Sequence, residues 1–338
     1  MEVSGYDALV YYATPPNSYI GTTVFLSYII AALYATITIV WSLHSQYANI
    51  FHASGLEKDE RLYASKTARA RHIKIYAFLA SISFAALSYN MLMFLITHYY
   101  EWSGGKRGIQ SNANADKMLR WMLDSTLFYD FAQDLVKNPP NTIWTQAAIL
   151  ATWFWNIYMG QKARERKYDA SMMRTYILLS QILPISFTVS LFLIQLHLSS
   201  PDIMPKAAAE TLTKPDPAPK RRKPIASLQI PNILLNAALL ALPALRTDST
   251  FMVILSVARA VLLLPQSQLM SLRDADVVKC ITVSGGFAVA NAAMLIKDLT
   301  LNGLLGAIGD GGYAVKALGW DAILGFIVYI VLGWGGGV

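Results

Sequence analysis

Charge is what this sequence has least of. Asp, Glu, Lys and Arg make up 14% of its 338 residues, against about 25% in an ordinary soluble domain. Apolar residues make up 54%, and the mean hydropathy is +0.38. The charges gather in clusters between long uncharged stretches. A bilayer selects that pattern, because a charge at its centre costs roughly 3 kcal/mol or more. Cysteine is nearly absent. The single Cys280 excludes an intramolecular disulfide and a zinc site made of cysteines.

Other absences narrow the chemistry. Five scattered histidines exclude the His-rich iron cluster of membrane desaturases. There is no Gly-x-Ser-x-Gly elbow, His-Glu-x-x-His helix or Walker loop. No pair of Asp-rich motifs is present to hold a diphosphate through Mg²⁺. The glycine-rich run Gly303 to Gly319 follows no strand and leads to no Lys-Ser/Thr, so it is not read as a nucleotide loop. No metal or cofactor site is expected.

What is present reads as an all-α, polytopic transmembrane bundle forming one integral membrane domain over residues 1–338. Apolar runs predict spans at about 19–43, 75–99, 142–159, 175–198, 228–245, 251–264, 277–296 and 318–332. The count is eight, or seven if the pair around Arg246 does not fully cross. Pro184 is expected to kink the fourth span. Residues 44–74 read as a polar loop, and the Pro/Lys-rich stretch 199–226 reads as a disordered linker.

Met1 to Ser18 has no Lys or Arg, so the first span is expected to be an uncleaved signal anchor with the N-terminus outside. Alternation of eight spans then leaves basic loops on both sides. The net charge of +7 reads as loops facing anionic lipid heads, not as a nucleic-acid surface. Nothing in the sequence addresses oligomeric state.

Polar groups at membrane depth are the site candidates, because something must offset their cost. Asn90, Phe94, Thr97 and Glu101 fall on one helical stripe, beside Tyr89. Met118 to Val136 is apolar at helical spacing but carries Asp124, Asp130 and Asp134 among Trp121, Phe128, Tyr129 and Phe131. A carboxyl in an apolar pocket acts as a Brønsted acid. These acids otherwise simply face water. Trp153, Trp155 and Asn156 crowd the third span, where aromatic faces stabilise cations or form an interfacial belt. Arg259 has no charged neighbour in its run and is expected to pair with Asp124, Asp130 or Glu101.

The segments Tyr89-Asn90 to Glu101-Trp102, Asp124 to Asp130, and Trp153-Phe-Trp155-Asn156 resemble those of fungal integral-membrane meroterpenoid cyclases of the ascochlorin/ascofuranone and macrophorin type. The resemblance is one of general shape over most of the chain. It implies a cofactor-independent terpene cyclase of the endoplasmic reticulum, acting in secondary metabolism on a farnesylated aromatic dissolved in the membrane. An acid would protonate an epoxide or alkene, and the polyene would close through carbocations. Asp124, Asp130 or Glu101 would supply the proton. Trp153, Trp155, Phe128 and Tyr129 would shield the cations, with Tyr89 beside them, and Asn90, Asn156 or Arg259 would orient the acid. The competing expectations are a multi-pass transporter or channel, and a non-catalytic helical scaffold.

Overall fold

A computed structural model describes residues 11–51, 60–104, 115–203, 226–267, 270–295 and 300–334. The described residues are α-helical, and their only β feature is an isolated bridge between Ala226 and Met270. In chain order the helices are α1 (Tyr19–Phe51), α2 (Glu60–Trp102), α3 (Ala115–Asp124), α4 (Leu127–Leu135), α5 (Pro139–Glu165), α6 (Ala170–Ile182), α7 (Ile185–Leu198), α8 (Gln229–Ala241), α9 (Phe251–Val261), α10 (Asp274–Leu295), α11 (Leu301–Gly309) and α12 (Tyr313–Gly333). The expected all-α bundle is what the chain forms.

Four helices, α1, α2, α10 and α12, are long and apolar enough to cross a membrane. Their outward faces carry large exposed apolar side chains, among them Ile30, Tyr34 and Trp41 of α1 and Phe326 and Tyr329 of α12. Such surface is stable against hydrocarbon and not against water. The protein is a helical membrane protein whose apolar helices meet the lipid bilayer.

Hydrogen bonds between helices define two ends of the bundle. At the near end the chain enters α1, where the Ser18 amide donates to the Leu123 carbonyl at 3.1 Å and Thr22 Oγ1 donates to the Met122 carbonyl at 3.1 Å. The end of α2, the helices α3 and α4, and the starts of α5 and α12 gather there. Gln133 also ties the α8–α9 turn to it, donating to the Arg246 carbonyl at 2.9 Å. At the far end Gln46 of α1 and Gln195 of α7 exchange amide hydrogen bonds of 3.1 and 2.9 Å. Arg164, at the end of α5, holds the Met270 and Ser267 carbonyls at 2.8 and 2.6 Å. Between the ends, small polar side chains join α8 to α10. Asn236 donates to Ser284 at 2.9 Å, and Ser284 donates to Asn232 at 2.9 Å. Such bonds hold apolar helices together where burial of apolar area gives no drive.

Several expectations change. The polar stretch 44–74 is largely helical, because α1 runs on to Phe51 and α2 already begins at Glu60. Ala, Lys, Arg and Leu there are strong helix formers, so charge ends the apolar run without ending the helix. Met118–Val136 is two helices parted at Ser125–Thr126. The Gly303–Gly319 loop is mostly the helices α11 and α12, with a turn at 310–312. Of the linker 199–226, residues 204–225 lie outside the described residues.

The largest change is at Pro184. The fourth apolar run is not a kinked span but two antiparallel helices. Tyr168, just before α6, bonds Ser199, just after α7, and the Tyr176 ring meets the Phe192 ring edge-on at 5.4 Å. Both pairs are centred on Leu183–Pro184, so α7 returns to the far end from which α6 started. Proline has no amide hydrogen to continue α6 and disfavours a helical residue before it. The chain therefore leaves the helix at Leu183, whose φ is −111° and ψ 170°. Every residue of α7 is buried, so this helix fills the bundle's interior, while α6 keeps an exposed side that includes Arg174 and Leu178.

Candidate functional site

The acids proposed from the sequence part company in the structure. Glu101 and Asp124 are exposed. Asp130 sits on α4 against the end of α2, where its Oδ2 lies 3.1 Å from His98 Nε2 and accepts Thr126 Oγ1 at 2.6 Å. Trp121 Nε1 donates to His98 Nδ1 at 3.0 Å. An indole nitrogen only donates, so Nδ1 must accept and the neutral imidazole carries its proton on Nε2, directed at Asp130. The four side chains form one line, Trp121 to His98 to Asp130, with Thr126 joining at the carboxylate. Rings enclose it. Phe94 packs edge-on against Phe131 at 5.2 Å, and Tyr99 packs edge-on against Trp121 at 5.5 Å.

The line is built by local sequence. Phe94 and His98 are one helical turn apart on α2, so both face α4. The α3–α4 break puts Thr126 one turn before Asp130, close enough to donate to it. Trp121 is buried, while the Asp130 side chain remains 41% accessible. Asp130 is thus reachable, while Trp121 and His98 behind it are packed and Thr126 beside it is exposed.

Thr126 also lines a pocket of about 170 Å³ between the start of α1 and the α3–α4 turn, with Phe25, Phe128 and Tyr129 on its walls. Phe128 stacks edge-on against Phe25 and Tyr28 at 6.3 and 5.9 Å, and Tyr129 against Phe251 at 6.2 Å. A separate apolar groove of about 680 Å³ runs between α5, α10 and α12, walled by Trp155, Tyr158, Phe326 and Tyr329. The two cavities share no lining residue.

No family model, no curated protein and no solved structure matches this chain. The site therefore rests on its own geometry. Phe128 and Tyr129 line one pocket with Thr126, and Asp130 adjoins that pocket only through its hydrogen bond from Thr126. Trp155 is in the other cavity. Trp153 is fully buried in the packed core, and Asn156 is equally buried, donating to the Leu262 carbonyl at 3.0 Å and accepting from Gln266 at 2.7 Å. Asn90 is buried and donates to the Ala86 carbonyl of its own helix at 2.8 Å, while Tyr89 points outward at 61% exposure.

Arg259 pairs with none of the three acids proposed for it. It is exposed, and its guanidinium donates to the Gln181 carbonyl at the end of α6. The α6–α7 reversal supplies the reason. The end of a helix leaves carbonyls unsatisfied and carries partial negative charge, which takes the place of a carboxylate. Opposite it, Asp321 of α12 accepts the amides of Ile185 and Ser186 at 3.0 and 2.9 Å and Ser186 Oγ at 2.6 Å. Asp321 was missed from sequence, although its signal was there as the lone acid of the last apolar run. His98 and Trp121 were missed as partners because their spacing from Asp130 becomes meaningful only once α3 and α4 fold back on α2.

Asp134 has a different role. Its carboxylate caps the start of α12 through the Ala314 amide, and burial lifts its pKa above the ordinary carboxylate range against the pull of Lys137 and that amide. A Cβ at Gly312 would collide with the Asp134 carboxylate, so the cap requires glycine there.

Proposed function

We propose that this protein is a multi-pass membrane enzyme of the endoplasmic reticulum that closes rings in a prenylated aromatic compound by proton transfer, with Asp130 as the acid. The observation that carries the reading is the line Trp121–His98–Asp130–Thr126 ending on the wall of an aromatic pocket. Two donors act on Oδ2 of Asp130, which leaves Oδ1 as the seat of a transferable proton. When that proton passes to an epoxide oxygen or a terminal alkene carbon, the Oδ2 donors stabilise the carboxylate left behind.

The tertiary cation that forms is attacked by the next double bond, and the last cation loses a proton from an adjacent carbon. The proton returns to the carboxylate, so atoms balance and the product is an isomer of the substrate. Phe25, Phe128 and Tyr129 line the pocket, and a ring face turned to a cation contributes about 0.5–2 kcal/mol while excluding water. The pocket has room for one end of a prenyl chain, and the apolar outer face of α1 leads to it from the bilayer.

The test is an assay of microsomes carrying the protein with a farnesylated aromatic and its terminal epoxide. D130N should lose about 10²-fold or more of cyclisation, while D124N and E101Q stay near the parent. Full activity in D130N, at equal protein level, would sink the assignment.

A second reading, a transporter, is favoured by one observation. Broken helices whose ends meet at depth are a feature of translocation sites, and the end of α6 and the start of α7 meet in that way, with Asp321 on the α7 amides. Uptake into proteoliposomes with no product formed would select it over the enzyme.

A further inference from the structure

We infer that α6–α7 is a re-entrant hairpin that enters and leaves through one leaflet, and that the far end of the bundle is a basic surface seated on the anionic headgroups of the cytosolic leaflet. The inference rests on the multi-pass reading above and adds the orientation, the side of each loop and the lipid class.

The first observation is geometric. Arg69, in the first turns of α2, donates to Asp202 Oδ2 at 3.1 Å and lies 3.0 Å from His197 Nδ1. Residues 197–202, the last residues of α7 and those that follow it, therefore sit at the same end as the start of α2. Tyr168, before α6, sits there as well through Ser199. With 13 and 14 residues, α6 and α7 are each about 20 Å long, short of the roughly 30 Å core. Their junction is held by Asp321, eight residues into α12 from the opposite end. A chain reversal at that depth leaves backbone groups that lipid cannot satisfy, and Arg259 and Asp321 satisfy them.

The second observation is charge. The reversal puts every loop after α7 on the side opposite to that expected from simple alternation. Among the described residues, the far end then holds twelve Lys and Arg against six Asp and Glu, and the near end five against seven. Ile203 and Ala226, which flank residues 204–225, are also at the far end, Ala226 through its bridge to Met270. Loops that read as basic on both sides when Pro184 was only a kink become basic on one side. Lys and Arg bias of that kind marks the cytosolic face, and basic residues there are drawn to anionic lipid heads.

Single cysteines at E165C, P201C and S249C, in a C280A background, test the arrangement with a membrane-impermeant maleimide on sealed, cytosol-side-out microsomes. E165C and P201C should label at once, and S249C only after permeabilisation. P201C protected while E165C labels would overturn the hairpin. E165C protected while S249C labels would overturn the orientation. Labelling of all three in sealed vesicles would instead defeat the multi-pass reading itself. For the headgroups, thermal unfolding is compared in phosphatidylcholine nanodiscs with and without phosphatidylserine. A higher midpoint with phosphatidylserine, reduced in R71Q/K74Q/R273Q, is expected, and equal midpoints for the parent protein would overturn the anionic-lipid assignment.

Discussion

Asp321 and Arg259 hold opposite sides of one chain reversal. Asp321 takes the amides that begin α7, and Arg259 takes a carbonyl that ends α6. Each charge faces the helix end of opposite sign, so the two short helices supply the counter-charge that no side chain supplies. This explains how an arginine far from the sequence's other charges is accommodated without an acidic partner.

The two halves of that clamp should be unequal. Asp321 receives three hydrogen bonds, and D321A leaves the two amides without it, at a cost of about 2–4 kcal/mol. Arg259 is exposed on α9, and R259L removes a cation from an apolar surface as well as a bond, so its net effect should be about 1 kcal/mol or less. Thermal unfolding in detergent compares them. Equal losses would mean that the reversal is not anchored mainly through α12.

At the near end, G312A and D134A should act through the same contact. The added methyl displaces the Asp134 carboxylate from the start of α12, which forfeits a cap of about 1 kcal/mol. The double variant should be no less stable than the worse single one. Additive losses in a double-mutant cycle would show that the glycine serves some other purpose.

Trp121 is expected to act on the proposed chemistry through His98 alone. W121F keeps the ring packing with Tyr99 and removes the donor that assigns the His98 tautomer. Turnover should fall about tenfold with a shifted pH profile and little change in KM. A fall in stability without a change in the profile would point to packing only.

The Arg69–Asp202 pair gives a pH dependence with a definite sign. Burial alone would raise the Asp202 pKa, but hydrogen bonds from Ser200 and Arg69 and the charge of Arg69 outweigh it and hold the carboxyl below its ordinary range. A lowered folded-state pKa stabilises the protein above the ordinary carboxylate range, and that stability is lost as pH falls through the lowered value. D202N should therefore be less stable than the parent at neutral pH, and the two should converge in acid. A difference that persists at the lowest pH would remove the ion pair as its cause.

Cys280 is fully buried between α8 and α10, where its carbonyl accepts from Asn232 at 3.2 Å. Alkylation of the folded protein should be slow and should become complete on denaturation. Rapid labelling of the native protein would indicate that α8 and α10 separate.

Composition and hydropathy were enough for the membrane environment, the helical class and the approximate place of nearly every helix. Each is a property of a contiguous run, and a bilayer penalises charge run by run. The reversal at Pro184 was beyond such a reading, because a kink and a turn-back share the same proline and differ only in what satisfies the freed backbone groups. Those partners, Arg259 and Asp321, are 78 and 136 residues away from their targets. The same limit applies at Asp130. Asp130 and its aromatic neighbours were visible in the sequence, but that His98 would meet Asp130, and not Asp124 or Glu101, depended on how α4 packs against α2. Local pattern sets what a segment can be, while contacts between distant segments decide which way it turns and which of its polar groups find partners.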